Sequence, residues 1–569
     1  MKVIYAGRAS RRRIPPPDVE GDVIELLSDN WDDYGHKTTF YTTSRAGGDL
    51  LSLGSIKILI DEKTNTASTL DKLLSAGWDG IFPIPNTNYI STPSEISFYE
   101  QLEGALGSQE AINVAISLKD ASYLVRVNED QQALLLTNSP GFQNSLQRER
   151  GSQKAYLDGW RILTSQGTSI ANFEFSFTDA LNEISKIEFK FSPRGLLPHD
   201  INVLIGPNGS GKSRLLHQMV DEWISPSKDK DYGFSRTLNL SQLVVISYSP
   251  FEIFPVDIQQ KDLQDKDAYK YFGLRGRGSK PSEGKPGSIR LSRTIPKINA
   301  AKSLVSCLSD DRRYKSIRDW AQKTATMESV LRSAIDFDFA AVEIPANKRA
   351  SSFYVEGATV EPTHFDIKVE DEKRRFIPIS PSHISELDDS KLAEHLIGHS
   401  GVTFFNEGSP IELSSGQRLF AYIVINILGA IRRNSLILVD EPELFLHPTL
   451  EIQFVDMLKK ILYAYDTKAI LATHSVVTVR EVPADCVHVF EKTKDGLVLK
   501  NPPFQTFGGD FQRISSYVFG DKSVSKPFEA WLKTKLKEYA SADELIKALS
   551  GDLNEELIMQ IRAMESGQW

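Results

Sequence analysis

Ile201-Asn202-Val203-Leu204-Ile205-Gly206-Pro207-Asn208-Gly209-Ser210-Gly211-Lys212-Ser213 joins an apolar run to a glycine loop ending in Lys-Ser. The run is apolar apart from Asn202, as in a strand buried on both faces. The residues after the loop predict a helix over 213–223. The loop therefore meets G-x-x-x-x-G-K-[ST] in the strand-to-helix context that gives the pattern its meaning. Gly206, Gly209 and Gly211 let the main chain wrap closely and take positive φ. The N–H groups then form an anion nest at a helix N-terminus. Gly206, Pro207, Asn208, Gly209, Ser210, Gly211, Lys212 and Ser213 are the expected nucleotide-binding residues. Lys212 would place a charge on the β and γ phosphates, and Ser213 a hydroxyl on Mg²⁺. ATP and Mg²⁺ are the cofactors implied.

Outward from the loop, a second buried strand is predicted at 243–247 and an earlier one at 187–191. Further along, Leu436-Ile437-Leu438-Val439-Asp440-Glu441-Pro442 reads as a buried strand ending in two carboxylates. Open α/β sheets bind ligands at that strand end. Asp440 is expected to hold Mg²⁺ through water, and Glu441 to act as the base that polarises the attacking water. Pro448 opens the next helix at the position proline favours. The following strand, 469–472, leads to His474, whose imidazole can reach the γ-phosphate. Strand and helix alternation of this kind implies a largely parallel sheet.

One helix before the Asp-Glu strand stands Leu413-Ser414-Ser415-Gly416-Gln417. It resembles the LSGGQ signature of ABC-type ATPases. The order phosphate loop, signature, Asp-Glu and His resembles an ABC ATPase head over roughly residues 170–500. The implied fold is α/β: a P-loop NTPase with a mostly parallel sheet and helices on both faces, an insertion of short helices and an N-terminal α+β domain. The resemblance also implies a homodimer or higher oligomer, with ATP held between the phosphate loop of one head and the signature of the other. Ser414, Ser415, Gly416 and Gln417 would then complete the nucleotide site across the interface.

The run after Asp-Glu-Pro, Glu443-Leu444-Phe445-Leu446-His447-Pro448, is similar to the SMC, RecF and OLD branch and unlike the Ser-Ala-Leu-Asp type of transporter heads. A glutamine expected after the strand at 243–247 is missing; Gln242 comes too early, and Ser249 is a weak substitute. Ser249-Pro250-Phe251, Tyr271-Phe272-Gly273-Leu274-Arg275 and Thr506-Phe507-Gly508-Gly509-Asp510 resemble the stand-alone ATPases of the Septu and retron anti-phage systems. The function implied is an ATP-binding and hydrolysing subunit in antiviral defence that controls a separate effector, a nuclease. Alternatives are a RecF- or SMC-like DNA-repair ATPase, a transporter ATPase and a nucleotide-gated scaffold.

The expected divisions are 1–165, an N-terminal α+β domain without assigned chemistry; 166–250, the lobe with the phosphate loop; 251–400, an insertion; 401–500, the lobe with signature, Asp-Glu and His; and 501–569, a helical tail. In the first part, strands are expected at 22–27, 38–43, 56–60, 112–118 and 122–127, and helices at 69–77 and 95–106; Trp31 to Gly35 reads as a turn. The insertion carries Arg275, Arg277, Lys280, Lys285, Arg290, Arg293, Lys297 and Lys302 against one acid, Glu283. That stretch can contact a nucleic-acid backbone, meet a protein, or be a solvated loop. The tail predicts a helix at 525–539 and no D-x-D cluster, so no nuclease is expected within this chain.

Bulk properties narrow the class. A net charge of −9 over 569 residues argues against a wholly basic nucleic-acid binder. No apolar run approaches the roughly 20 residues that span a bilayer, and no apolar stretch follows the arginines at 11–13. The expectation is a cytoplasmic chain with no membrane partner. Two distant cysteines, Cys307 and Cys486, predict neither a disulfide framework nor a zinc site.

Overall fold

The structure, a computed structural model, describes residues 1–8, 21–28, 35–47, 49–51, 53–164, 170–179, 181–192, 196–227, 231–236, 238–258, 268–278, 287–315, 317, 321–358, 361–369, 372–493, 496–520, 527–549, 551 and 553–566. The turn expected at 31–35 and the basic positions Lys280 and Lys285 lie largely or wholly outside them. The chain divides into two compact units, Met1–Gly508 and Gly509–Trp569.

The centre of the first unit is a seven-stranded sheet. Its strands run, in spatial order, Tyr269–Gly273, Gln242–Ser247, Ser435–Asp440, Lys468–Thr473, Ile201–Ile205, Val487–Thr493 and Gly496–Lys500. All neighbours are parallel except the last pair. Alternate residues explain the near-continuous apolar runs. Leu204, Leu243, Val245, Leu436, Leu438, Ile470 and Ala472 share one core with Leu215, Leu216, Met219 and Val220 of the helix Lys212–Ile224. The intervening Val203, Val244, Ile246, Ile437, Val439 and Leu471 are also buried, so both faces are covered. The helix Ser415–Ala430 packs against the strands Gln242–Ser247 and Tyr269–Gly273.

The N-terminal region has its own mixed sheet, with Lys2–Arg8 parallel to Val23–Ser28 and the other pairs antiparallel. Two expected strands there are corrected. Residues 108–117 and 121–126 form the helices Ser108–Ser117 and Ala121–Arg126. Ala111, Val114, Ala115 and Leu118 are buried at helical spacing, and Asp120 caps the second helix by accepting the Tyr123 N–H at 2.9 Å.

The insertion also departs from the expected set of short helices. It contains a 19-residue helix, Ile295–Arg313. It also contributes to a five-stranded antiparallel sheet ordered Phe365–Val369, Glu372–Ile379, Phe339–Ile344, Val402–Asn406 and Ser409–Pro410. The sheet escaped the reading because its strands carry charges. Arg375 faces Asp366 across the ladder and bonds it at 2.7 and 2.9 Å, while Phe339, Phe365 and Phe405 cluster.

Ile295–Arg313 crosses Ser415–Ala430 at close range. A Cβ on Gly429 would lie 2.4 Å from the Ser303 carbonyl oxygen. Alanine ordinarily favours a helix over glycine by about 1 kcal/mol. Here Gly429→Ala is expected to destabilise by about 1–3 kcal/mol through overpacking. Thermal melting reads the sign, and a rise in midpoint would contradict the close crossing.

The second unit holds the helices Phe511–Phe519, Pro527–Leu536, Ala542–Ala548 and Glu555–Glu565. Leu532, Ala542, Leu545 and Ile561 form its core. Among the described residues, no helix is long and apolar enough to cross a membrane.

Candidate functional site

Parallel pairing gathers the C-terminal strand ends at one edge of the sheet. Asp440 stands beside Ala472 on one side and Ser247 on the other, and Thr473 stands beside Ile205. The phosphate loop, Asp440-Glu441 and His474 therefore leave from three neighbouring strands.

In the loop, Gly209 and Gly211 have φ of 71° and 102°, a region costly for other residues. A Cβ on Gly206 would lie 2.4 Å from the Phe490 carbonyl oxygen, so the loop starts pressed against the next strand. Lys212 folds back over it and is 4% exposed. Its Nζ donates to the carbonyls of Gly206 at 3.0 Å and Pro207 at 3.3 Å, and to His474 Nε2 at 3.1 Å. Burial depresses the ammonium to about 8, against the pull of Glu441, Glu443 and Asp440.

Ser213 Oγ donates to Asp440 Oδ1 at 2.8 Å. Burial pushes the Asp440 carboxyl up to about 7; the Ser213 bond opposes this and the charge of Glu441 adds to it. The hydroxyl of Ser210 is buried without a hydrogen-bond partner. Two hard oxygen donors in contact, beside a nest with a lysine, fit a divalent cation and the phosphates it bridges. Ser213 and Asp440 would hold Mg²⁺, which supplies positive charge to the transferring phosphoryl group. Lys212 and the loop N–H groups would hold the phosphates.

Glu441 sits at φ 50°, ψ 57°, a strained position for a residue with a Cβ. Its N–H donates to the Ala472 carbonyl at 2.8 Å, which pins it past the end of its strand. Its carboxylate lies 3.8 Å from His474 Nε2 and is 25% exposed, open to water. Burial and the Lys212 ammonium hold His474 below its ordinary value. The imidazole is thus neutral near pH 7, and with Lys212 donating to Nε2 its proton sits on Nδ1.

Three neighbours escaped the sequence reading. Glu443 accepts the His474 N–H at 2.5 Å, and Glu451 accepts the Ser475 hydroxyl. Together they fix the turn that carries His474. Ser247, whose hydroxyl is buried without a hydrogen-bond partner, stands next to Asp440 across the sheet. Glu443 follows Glu441 by two positions and could have been noticed; the others needed the sheet order.

The signature lies elsewhere. Ser414 caps the helix Ser415–Ala430: its Oγ accepts the Gln417 N–H at 3.2 Å while Gln417 Oε1 accepts the Ser414 N–H at 3.2 Å. Gln417 Nε2 donates to the Ala334 carbonyl, so that side chain is occupied within its own chain. Ser414 and Ser415 are exposed, and Gly416 is half-buried. Among the described residues, no hydrogen bond or ion pair joins 413–417 to 206–213. Gln242 begins its strand in register with Ser435, at the sheet edge opposite Asp440, which removes it from the site.

The basic stretch is partly neutralised. Arg275 pairs with Glu252 at 3.3 Å and Arg277 with Asp257. Arg290, Arg293 and Lys302 remain exposed.

Residues 271–480 match the family described as "AAA domain, putative AbiEii toxin, Type IV TA system". Protein ea59 of Escherichia phage lambda is 24% identical over 566 residues, 96% of each chain. Among solved structures, the SMC head domain from Thermotoga maritima is 11% identical, with 59% of this chain and 100% of that one covered at a TM-score of 0.24. MJ1267, an ATP-binding cassette of an ABC transporter in its ADP conformation, is 11% identical, with 63% and 97% covered at a TM-score of 0.27. The matched segment carries residues 413–417, Asp440-Glu441 and His474, and the sheet sets the Asp-Glu pair and the histidine, but not 413–417, beside the phosphate loop. Residues 271–480 thus match an AAA-domain family, and the chain has an α/β fold of the P-loop NTPase kind.

Proposed function

We propose that this chain hydrolyses ATP as a head-to-head dimer and, in that role, controls a separate effector in defence against phage. The observation that carries the dimer is the division of the site. Lys212, Ser213, Asp440, Glu441 and His474 converge at one sheet edge. The exposed Ser414 and Ser415 begin a 16-residue helix with no bond to the loop of the same chain. A helix N-terminus of that length attracts phosphate. A second copy would bring its Ser414, Ser415 and Gly416 to the γ-phosphate held by the first, with Mg²⁺ on Ser213 and Asp440 and Glu441 as base. His474 would hydrogen-bond the γ-phosphate.

The defence role draws support from the description of the matched family as an AAA domain and putative AbiEii toxin of a Type IV TA system, and from the Septu- and retron-like sequence stretches. A nuclease is the effector proposed. Nucleic-acid contact through the basic stretch is proposed for Arg290, Arg293 and Lys302, since Arg275 and Arg277 are engaged by acids.

Lys212→Ala is expected to weaken ATP binding by about 100-fold or more, the loss of a buried charge-assisted contact. Ser415→Glu is expected to leave binding by the monomer intact and to abolish ATP-dependent dimers in sedimentation or native mass spectrometry. Dimers that persist in Ser415→Glu would refute the sandwich. Plaque counts on cells carrying the chain with its neighbouring genes test the defence role; equal counts with wild type and Lys212→Ala would sink it.

A further inference from the structure

At the opposite edge of the sheet, beneath the strand that leads to the phosphate loop, three side chains meet. His199 precedes Ile201–Ile205, and Asp485 and Cys486 precede Val487–Thr493. These strands are parallel neighbours, with Val487 opposite Val203. One ligand atom from each of the three residues lies within 4.8 Å of the other two. His199 Nε2 is 3.3 Å from Asp485 Oδ1 and 3.4 Å from Oδ2. Among the described residues this is the one cluster of three such ligands.

Hydrogen bonding sets the tautomer. His199 Nδ1 is 2.8 Å from the Leu197 carbonyl oxygen, which can only accept, so Nδ1 carries a proton. In the neutral imidazole Nε2 then presents its lone pair to the Asp485 carboxylate. Lone pair facing carboxylate is repulsive unless a proton or a cation stands between them. An imidazole whose other nitrogen donates to a backbone carbonyl is the arrangement that orients metal-ligating histidines. Cys486 adds a fully buried sulfur, and Asp485 leaves the group open on one side.

We propose that His199, Asp485 and Cys486 bind a zinc-class divalent cation that clips these two strands together. Imidazole nitrogen, carboxylate oxygen and thiolate sulfur suit Zn²⁺, with bonds of about 2.0–2.3 Å; a thiolate disfavours Mg²⁺. Ligands around such an ion lie about 3.3–3.8 Å apart, so the His199–Asp485 spacing already fits and the sulfur must close in slightly. Binding exchanges the Cys486 S–H, which points to the Lys190 carbonyl at 3.5 Å, for a metal–sulfur bond and releases that proton to solvent. One carboxylate and one thiolate neutralise the ion, and water fills a fourth position on the Asp485 side. The role is structural: the site lies across the sheet from Asp440 and holds the base of the phosphate-loop strand. Counted as thiols, the two cysteines made no metal site; the fold supplies different partners to one of them.

The full chain, purified without chelators, is expected to carry about one equivalent of zinc. Chelator-treated chain titrated with Co²⁺ in excess Mg²⁺ should develop a thiolate-to-cobalt charge-transfer band, absent in Cys486→Ser. Zn²⁺ without nucleotide should raise the Tm of wild type by about 2 °C or more, and leave His199→Gln unchanged. Absence of the cobalt band in the wild type overturns the proposal and leaves a His–Asp ion pair beside a thiol. That measurement needs no variant, so it decides the matter even where a substitution prevents folding.

Discussion

Replacing Glu441 by Gln is expected to lower ATP turnover by about 10²–10³-fold while ATP binding stays close to that of wild type. The side chain is isosteric, and its backbone strain is held by the N–H bond to Ala472 at 2.8 Å, which the substitution leaves in place. What disappears is the proton acceptor at a partly exposed position beside His474. Lys212, Ser213 and Asp440 keep their mutual geometry, so the nucleotide-binding half persists. A head that binds but does not hydrolyse should accumulate as the ATP-bound dimer, visible as a doubled mass on sizing with ATP and a monomer without it. Wild-type turnover in Glu441→Gln would place the base elsewhere. Loss of binding together with turnover would mean that Glu441 instead holds the fold of the site.

Asp440→Asn is expected to abolish Mg²⁺-dependent hydrolysis and yet stabilise the nucleotide-free chain at pH 8. Asp440 is 4% exposed, and its carboxyl is pushed from an ordinary 3.8 up to about 7, chiefly by burial. The folded value lies above the unfolded one. The stability linked to this group is therefore full below about pH 4, and is lost as pH rises through about 7. At pH 8 the ionised form costs at most about 4 kcal/mol, reduced by relaxation around the charge. Asparagine removes that charge and still accepts the Ser213 hydroxyl, so the 2.8 Å contact can survive. Melting from pH 5 to 8 should show wild type losing stability with rising pH while the variant changes less. Added Mg²⁺ and ATP should reverse the ranking, because only the wild type gains the cation's attraction. A variant less stable than wild type at pH 8 without ligand would contradict this account.

What was legible in the sequence was local. An apolar run broken only by Asn202 before the glycine loop, and the four apolar residues 436–439 before Asp440-Glu441, are dictated by burial on both faces, which needs no knowledge of the neighbours. The Pro448 helix start is equally local, set by proline's fixed φ and its missing N–H at the first helical position. Where local signals conflict, the reading failed. Residues 112–118 and 122–127 are short, apolar and rich enough in β-branched side chains to pass for strands. Their helical form depends on packing by Val114 and Leu118 and on the Asp120 cap. The charged strands at 365–369 and 372–379 were missed for the opposite reason: Asp366 and Arg375 neutralise each other only once paired.

The sequence by itself determined the phosphate loop, the carboxylate pair and the histidine as strings at strand ends, and through their order the P-loop NTPase fold. Each is a contiguous string whose chemistry follows from its own residues. Only the tertiary structure decided that the strand ending at Thr473 stands between the other two. It also decided that Glu443 holds the His474 backbone, that Gln242 faces the wrong edge, and that His199 meets Cys486 across 286 positions of chain to Asp485 and one more. Strand order depends on which buried faces match over hundreds of residues, and that information resides in no single segment. The strand and glycines of the phosphate loop were written locally, while the separation of Ser414 and Ser415 from it became visible only in the folded chain.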